Sequence, residues 1–246
     1  MKDLKVLVKA GLRKTGFELR RYTIQTSADA QLIRTLTHFD VDLVLDVGVN
    51  VGQYGSALRE HGYRRRIVSF EPSSTAHAEL LRCASGDPDW TIAPRMALGA
   101  SPGVAILNLA GNSVSNSIRS MLPSHEQAAP DSVFFGTEQV PVQTLDSLAP
   151  EYLLGTRCVL LKIDTQGFED AVLAGAGTCL DRVTAVQIEL SLISLYKDQM
   201  LFDETRDRLN VLGFDLYSLY PVYSDERTGR TLQVDGLFVR RDLAGS

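Results

Sequence analysis

Residues 42–52 have the sequence DLVLDVGVNVG, an apolar run that leads into two glycines four positions apart. Short apolar runs rich in valine predict a buried strand, here over residues 42–49. Residues 52–61, GQYGSALREH, have helical composition, and Gly62 supplies a stop signal. A strand, a glycine turn and a helix in this order predict the first unit of a parallel α/β sheet.

The alternation of strands and helices continues to about residue 212. Further strands are predicted at 66–70, 91–98, 104–109, 139–143, 158–164 and 185–190, and helices at 76–83, 167–175 and 203–212. Two final strands, at 214–220 and 232–240, can pair in antiparallel fashion. The order favours one α/β domain with a mostly parallel sheet, in which the loops that follow the strands form the ligand site.

The charge of the chain is divided unevenly between its beginning and the rest. Residues 1–21 contain seven Lys/Arg and two Asp/Glu, a net charge of +5, so the remainder carries −10 of the overall −5. The overall charge argues against a protein that coats nucleic acid. Apolar residues at helical spacing predict an N-terminal helical extension (1–40) before the main domain (41–246). The basic segment favours either a solvated helix or an amphipathic helix on a membrane surface.

Several observations bear on location. The three cysteines, Cys83, Cys158 and Cys179, have neither a disulfide pattern nor zinc-site spacing, which favours a reducing compartment. No apolar run reaches the roughly 18–20 residues that span a bilayer. Lysines interrupt the apolar residues near the N-terminus, unlike the core of a signal peptide. We therefore expect a cytoplasmic protein, with peripheral membrane contact through residues 1–21 as an option.

The first candidate site is the glycine turn after the first predicted strand. Asp46, Gly48, Asn50 and Gly52 lie there, and glycines let a ligand approach the main chain closely. Glu71 ends the second predicted strand, where a carboxylate can accept hydrogen bonds from ribose hydroxyls. The spacing differs from the G-x-G-x-x-G of dinucleotide sites. The pattern therefore predicts an adenosine-type ligand, and the alternative is a structural strand–turn–helix.

A second candidate site follows the predicted strand at 158–164. Lys162 and Asp164 stand at its carboxyl end, and Glu189 ends the next predicted strand. Burying a charged group at such an edge costs free energy, so the group is expected either to pair with an opposite charge or to take part in binding or catalysis. The two carboxylates could share a proton, act as a base or hold a divalent cation. The alternative is a structural role in a salt bridge and a helix terminus.

Residues 111–136 form a long polar segment rich in Ser, Pro and Asn. Such a segment inside an α/β domain predicts either a lid over the site or a solvated loop. His125 is its only histidine. With an ordinary pKa of about 6.5, His125 is a third candidate for the general base.

The motifs together resemble the FkbM family of S-adenosylmethionine-dependent methyltransferases. The resemblance covers about residues 42–240 and rests on DVGVNVGQY (46–54), FEP (70–72), MALG (96–99), LKIDTQGFE (161–169) and VDGLFV (234–239). It implies a seven-stranded, Rossmann-like methyltransferase sheet. It also implies S-adenosylmethionine (SAM) as cofactor and O-methylation of a sugar, glycolipid or related natural product.

The resemblance also implies roles for individual residues. The first glycine turn would border the methionine part of SAM, Glu71 would hold the ribose, and Lys162 and Asp164 would lie near the methyl group. The implied cofactor residues are Asp46, Gly48, Asn50, Gly52, Tyr54, Glu71, Pro72, Met96, Ala97 and Asp164. Two positions depart from the family pattern, because Val49 stands where alanine is usual and Gln166 where glutamate is usual. The missing charge at Gln166 weakens a role for this residue in metal binding or proton removal.

Two other functions stay open on the sequence alone. One is a nucleotide-binding oxidoreductase or epimerase with a variant glycine loop, which the missing G-x-G-x-x-G disfavours. The other is a non-catalytic cofactor-binding module. The expected partners are a small-molecule or lipid-linked sugar and no nucleic acid, with a divalent cation such as magnesium as a second cofactor. The catalytic candidates are Asp164, Glu189, His125 and Lys162.

Overall fold

The computed structural model describes residues 2–244, without the side chains of residues 2–5 and 7. The helices are α1 (Lys2–Lys14), α2 (Ala28–His38), α3 (Gln53–Glu60), α4 (Ser74–Cys83), α5 (Pro123–Ala128), α6 (Leu145–Tyr152), α7 (Glu169–Ala174) and α8 (Phe202–Val211). The strands are β1 (Leu43–Val47), β2 (Arg66–Phe70), β3 (Trp90–Ile92), β4 (Ala97–Leu98), β5 (Gly103–Ala110), β6 (Phe134–Gln143), β7 (Val159–Ile163), β8 (Val183–Ser191), β9 (Phe214–Ser224) and β10 (Thr231–Arg240).

Seven strands form the main sheet in the order β3-β2-β1-β7-β8-β10-β9. Neighbours from β3 to β8 are parallel, whereas β10 is antiparallel to both β8 and β9. The mostly parallel α/β sheet of seven strands predicted above is therefore confirmed. The register places Asp46, Lys162 and Gln187 side by side across β1, β7 and β8. Polar groups on separate strands thus meet near the carboxyl ends of the central strands.

The main sheet is buried on both faces. Leu45 and Leu161 belong to the core on one face, and Val44 and Leu160 belong to the core on the other. Alternation along each strand sends neighbouring side chains to opposite faces, so β1 and β7 are apolar except for Asp46 and Lys162 near their carboxyl ends. Leu36 of α2 packs into the second core beside Val44.

The described side chains of α1 are exposed or half-exposed. No helix within residues 2–244 combines the length and apolarity needed to cross a bilayer.

A second sheet has the strand order β4-β6-β5. Its strand β4 falls within the single strand predicted at 91–98. The predicted strand at 91–98 is wrong, because β3 ends at Ile92 and β4 begins at Ala97 in the other sheet. Pro94 lies in the gap, and proline has no N–H to donate to a neighbouring strand. The chain therefore leaves the main sheet here. The small sheet extends the wall of the cavity described below.

Residues 111–136 are a packed segment rather than a solvated loop. They contain α5, two short 3₁₀ turns and the start of β6. The Leu122 N–H donates to the Leu195 carbonyl, and the Lys197 N–H donates to the Ser120 carbonyl. These bonds fasten the segment to the connection between β8 and α8. We call residues 111–133 the cap, because they close one side of the cavity.

Candidate active site

A cavity of about 540 Å³ opens at the carboxyl ends of β1, β2, β7 and β8. Its volume lies in the range of about 300–1,000 Å³ that is typical of small-molecule sites. Of the residues that the sequence singled out, it is lined by Gly48, Asn50, Tyr54, Glu71, Pro72, Met96, Ala97, His125, Lys162, Asp164 and Glu189. The two candidate sites and the cap thus contribute to one chamber.

The glycine turn after β1 is shaped by close contact with the end of β7. Gly48 has φ +81°, and a Cβ atom placed there would lie 1.8 Å from the carbonyl oxygen of Asp164. Only glycine fits that approach. Asn50 has φ +53°, and the buried polar atoms of its side chain have no hydrogen-bond partner. Asn50 lines the cavity, and its amide donor and acceptor are buried beneath that lining without a partner.

Glu71 connects the glycine turn to the turn after β2. Its Oε2 accepts a hydrogen bond from the Asn50 N–H at 2.8 Å, and its Oε1 accepts one from the Ser73 N–H at 2.8 Å. Burial raises the pKa of Glu71 to about 7, against the opposing effect of the two N–H donors. The carboxylate is thus fixed at the wall of the cavity. It can still accept hydrogen bonds from ligand hydroxyls, because each oxygen has more than one lone pair.

Lys162 is a buried cation that faces three carboxylates. Its Nζ lies 3.0 Å from Asp164 Oδ2 and 3.9 Å from Asp46 Oδ1, and 5.2 Å from the centre of the Tyr54 ring. Burial lowers the pKa of Lys162, but Asp164, Asp46 and Asp235 together raise it above the usual value. Lys162 therefore stays charged at neutral pH. It can neutralise and orient carboxylates, and it is poorly suited to accept a proton.

Asp46 lies behind the wall of the cavity. It is fully buried, and neither of its carboxylate oxygens has a hydrogen-bond partner. Burial raises its pKa to about 6, because the attraction of Lys162 offsets only part of the desolvation. Gly52 also lies outside the cavity lining. A Cβ at Gly52 would lie 3.0 Å from the Leu80 side chain and 3.3 Å from Trp90, so this glycine permits packing between α3 and α4.

Asp164 and Glu189 are joined by an amide. Gln166 Nε2 donates to Asp164 Oδ1 at 2.7 Å and to Glu189 Oε2 at 3.0 Å. The Tyr196 hydroxyl donates to Gln166 Oε1 at 3.0 Å, which orients the amide with its N–H groups towards the carboxylates. Gln233 Nε2 donates to the same Glu189 Oε2 at 2.6 Å. The predicted proximity of the two carboxylates is therefore present, and Gln166 has a positioning role that the sequence did not indicate.

His125 is buried in the cap and lines the cavity. Burial lowers the pKa of His125 to about 4, below the unperturbed value of about 6.5 that made it a candidate for the general base. Its Nδ1 has no hydrogen-bond partner, and its ring meets the Tyr196 ring edge-on at 5.1 Å between centroids. His125 is neutral at physiological pH. It can donate or accept a hydrogen bond, but it is a weak base.

Several residues that complete the site were not singled out from the sequence. Tyr196 and Gln233 fix the carboxylate pair, and Val222, Tyr223 and Asp235 line the cavity. Asp235 belongs to the VDGLFV motif and could have been found from it. The others lie in segments without a recognisable pattern. Among residues 2–244, no group of three or more His, Cys, Asp or Glu is arranged to hold a metal ion, so the divalent cation remains a prediction.

Two solved methyltransferase structures and the structure of TehB are similar to this chain. Magnesium protoporphyrin IX methyltransferase from Synechocystis PCC 6803 is 13% identical, with a TM-score of 0.47 and coverage of 96% of each chain. An S-adenosylmethionine-dependent methyltransferase from Mesorhizobium loti is 12% identical, with a TM-score of 0.46 and coverage of 89% of this chain and 100% of that one. TehB from Haemophilus influenzae is 8% identical with a TM-score of 0.46, covering 87% of this chain and 63% of TehB.

A model of a protein family, compared with the sequence of this chain, gives the family assignment. No curated protein matches the chain significantly. The model of the methyltransferase FkbM domain matches residues 46–216, which begin at the carboxyl end of β1 and include the cap and the Asp164–Glu189 pair. The match covers more than half of the chain, so the chain belongs to the FkbM methyltransferase family.

Proposed function

We propose that the protein transfers the methyl group of SAM to a hydroxyl of a sugar, glycolipid or related natural product. The observation that carries this proposal is the single cavity that contains both the glycine turn with Glu71 and the Asp164–Glu189 pair. The first half has the chemistry to hold an adenosine-type ligand, and the second half has the chemistry to take a proton from a hydroxyl.

The residues of the first half fit SAM. The Glu71 carboxylate lies at the cavity wall, where it can accept hydrogen bonds from ribose hydroxyls. Met96 and Ala97 give an apolar border for the adenine, as the resemblance implies. Bound SAM would supply a methyl group on a positively charged sulfur. The chain's own task is to align the acceptor hydroxyl with that methyl group, at roughly 3 Å, and to remove its proton.

The hydrogen bonds separate the roles of the two carboxylates. Both oxygens of Asp164 are engaged, one by Gln166 and one by Lys162. Glu189 receives its two amide donors on Oε2, so its Oε1 is the more available proton acceptor. We therefore assign Asp164 to positioning and charge balance, and Glu189 to proton removal. His125 then contributes a hydrogen bond to the acceptor rather than base catalysis.

The charge of the cavity favours an uncharged acceptor. The acidic side chains that line it include Asp164, Glu189 and Asp235. Among the described residues, its basic side chains are Lys162 and His125, and His125 is neutral. Lys162 is already held by Asp164 and Asp46. A phosphate or carboxylate group on the acceptor would therefore meet repulsion without a free cation to offset it. Sugar hydroxyls carry no such charge.

A methyl-transfer screen with radiolabelled SAM tests the proposal. Neutral sugars, their phosphates and glycolipid extracts serve as acceptors, each with EDTA or with added magnesium. We expect product with a neutral hydroxyl acceptor and at least a 100-fold lower rate for Glu189→Gln, which removes the proposed base. SAM binding without product on any acceptor would favour a non-catalytic module, and NADH binding would favour the oxidoreductase alternative.

We also propose a reducing cytoplasmic setting. Cys83, Cys158 and Cys179 are all free thiols, which agrees with that setting. A comparison of the unfolding temperature with and without reductant tests this point. Equal values are expected, and a loss of stability on reduction would contradict it.

A further inference from the structure

Glu189 lies at the centre of a group of buried acidic side chains. Asp164 at the end of β7, Glu169 in α7 and Asp235 in β10 raise its pKa, in addition to burial, and Lys162 in β7 lowers it. Tyr196, in the connection after β8, adds a phenol to the same surroundings. The net effect holds the pKa of Glu189 well above its usual range. The ammonium group of Lys162 therefore balances the charge of several carboxylates in a poorly solvated space.

The hydrogen bonds show which of these carboxylates is best suited to carry a proton. Glu169 Oε1 accepts from the Thr165 and Gly167 N–H groups, and Asp164 has Lys162 as a charged partner. Glu189 has only the neutral amides of Gln166 and Gln233, and both donate to Oε2. Its Oε1 can therefore carry a proton without losing a hydrogen bond. Ionised carboxylates without a charged partner are expensive to bury, which favours the neutral form here.

We propose that Glu189 is a charge-gated base, which keeps a proton in the empty cavity and releases it to solvent when a sulfonium ligand enters. The inference rests on the proposed function, because it takes SAM as that ligand. SAM and its demethylated product, S-adenosylhomocysteine (SAH), share the same adenosine and amino acid groups. They differ by the methyl group and the positive charge on sulfur. An added positive charge stabilises the Glu189 carboxylate and lowers its pKa.

The proton balance of a full cycle is consistent with this gate. Glu189 loses its proton to solvent when the cationic ligand binds. During transfer, Glu189 Oε1 takes the acceptor's hydroxyl proton, while the O–C bond forms and the C–S bond breaks with its electron pair left on sulfur. The site then holds a neutral sulfur and a protonated Glu189. This is the charge state of the empty site, so the product can leave without a further proton transfer.

Calorimetric titration of the whole protein with SAM and with SAH tests the gate without any acceptor. Each ligand is titrated at pH 7.5 in phosphate and in Tris, whose different ionisation enthalpies report the protons released per site. We expect SAM to release up to about one proton more than SAH. The difference should shrink at pH values well below the pKa in the occupied site, where Glu189 keeps its proton in both complexes.

Three variants assign the proton to its residue. Glu189→Gln should abolish the difference between SAM and SAH while both ligands still bind. Asp235→Asn should reduce it, because removal of a neighbouring negative charge lowers the pKa of Glu189 in the empty site. Glu126→Gln, in the exposed part of α5, is the control and should leave it unchanged. Thermal unfolding of each variant verifies that it is folded.

The outcomes separate this inference from the proposed function. Equal proton release with SAM and SAH in the unaltered protein would overturn the gate and leave the proposed function intact. A difference that persists in Glu189→Gln would overturn the assignment to Glu189. If neither ligand binds, the proposed function and the gate both fall.

Discussion

At the scale of single residues, burial makes a few acidic side chains harder to ionise in the folded protein than in water. Asp46 is the simplest case, since it is fully buried and its oxygens accept no hydrogen bond. Its pKa of about 6 lies above the unfolded value of about 3.9. The folded protein therefore holds the Asp46 proton more tightly than the unfolded chain does. Ionisation of Asp46 consequently lowers the free energy of unfolding as pH rises from about 4 to 6.

This difference predicts a stabilising substitution. Asp46→Asn removes the ionisation, so the variant should be more stable than the unaltered protein at pH 7.5, by on the order of 2 kcal/mol or several degrees in Tm. At pH 4 the gain should be much smaller, because Asp46 is then largely neutral in the folded protein. Thermal unfolding at both pH values measures this. A destabilised variant at pH 7.5, or the same gain at both pH values, would contradict the account.

The sequence indicated which residues lie at the site better than it indicated the side-chain contacts between them. Most of the motif residues after β1, β2 and β7 line one cavity, because strand ends of a parallel sheet meet at one edge. Tyr196 and Gln233 escaped prediction, since nothing in their local sequence indicates that they reach Gln166 and Glu189. Such contacts depend on strand order and on the path of long connections. The same holds for the burial that lowers the pKa of His125.

At the scale of elements, the approach of the β1 turn to the end of β7 fixes the shape of the site. Gly48→Ala would place a methyl group on the Asp164 carbonyl and force an alanine to φ +81°. We expect a loss of more than about 3 kcal/mol in stability and at least a tenfold loss in SAH affinity. Denaturant unfolding and calorimetric titration give the two quantities.

Gly62→Ala is the matched control for Gly48→Ala. Gly62 has φ +97°, but a Cβ there meets no atom within 4 Å. It should cost only about 1–2 kcal/mol, the strain of the left-handed conformation, and leave ligand affinity unchanged. Equal losses in the two variants would mean that backbone conformation, rather than the contact with β7, determines the effect.

Arg119 fastens the cap to α7. Its Nη2 donates to Asp170 Oδ1 at 2.6 Å in α7, and its guanidinium lies 5.6 Å from the centre of the Phe168 ring. Arg119→Ala should release the cap, raise the dissociation rate of SAH roughly tenfold and speed proteolysis within residues 111–133. Stopped-flow dissociation and limited proteolysis measure these effects.

Arg206→Ala serves as the control for the cap. Arg206 forms exposed ion pairs with Asp203 and Asp207, which contribute little. If both arginine variants behave alike, the cap does not control access to the cavity.

Element boundaries were predictable where the pattern was strong. The prediction succeeded for β7, which opens with the apolar run Val159–Leu161. It failed at residues 91–98, where Pro94 lies between strands of two sheets. Proline in a predicted strand was the available warning. The helix α6 was not predicted, and Pro150 within it explains why, since proline usually ends a helix.

At the scale of the whole molecule, Tyr22, which follows the basic N-terminal segment, is held at the edge of the sheet opposite the cavity. Tyr22 stacks on His61 at 5.7 Å between ring centroids, and Arg65 pairs with Asp40 just before β1. These contacts lie at the amino ends of the strands, about 16 Å from the carboxyl ends where the cavity opens, by the length of a five-residue strand.

The exposed side chains of the segment still suit an anionic surface. Phe17 and Leu19 are more than half exposed and lie close to Arg20 and Arg21 in the sequence. We propose that the full chain binds vesicles that contain anionic lipids, more strongly at low salt. A chain that begins at Tyr22 should bind several-fold less in a co-sedimentation assay. Equal sedimentation of both chains would remove membrane contact from the account.

The central claim is that one cavity holds SAM and positions a hydroxyl for methylation. Its most direct test is calorimetric titration of the protein with SAH, in parallel with Glu71→Gln. We expect binding at tens of micromolar or tighter, and at least a tenfold weaker Kd for the variant, because an amide cannot accept from both the Asn50 and Ser73 N–H groups. No binding by the unaltered protein, or equal binding by the variant, would contradict the claim.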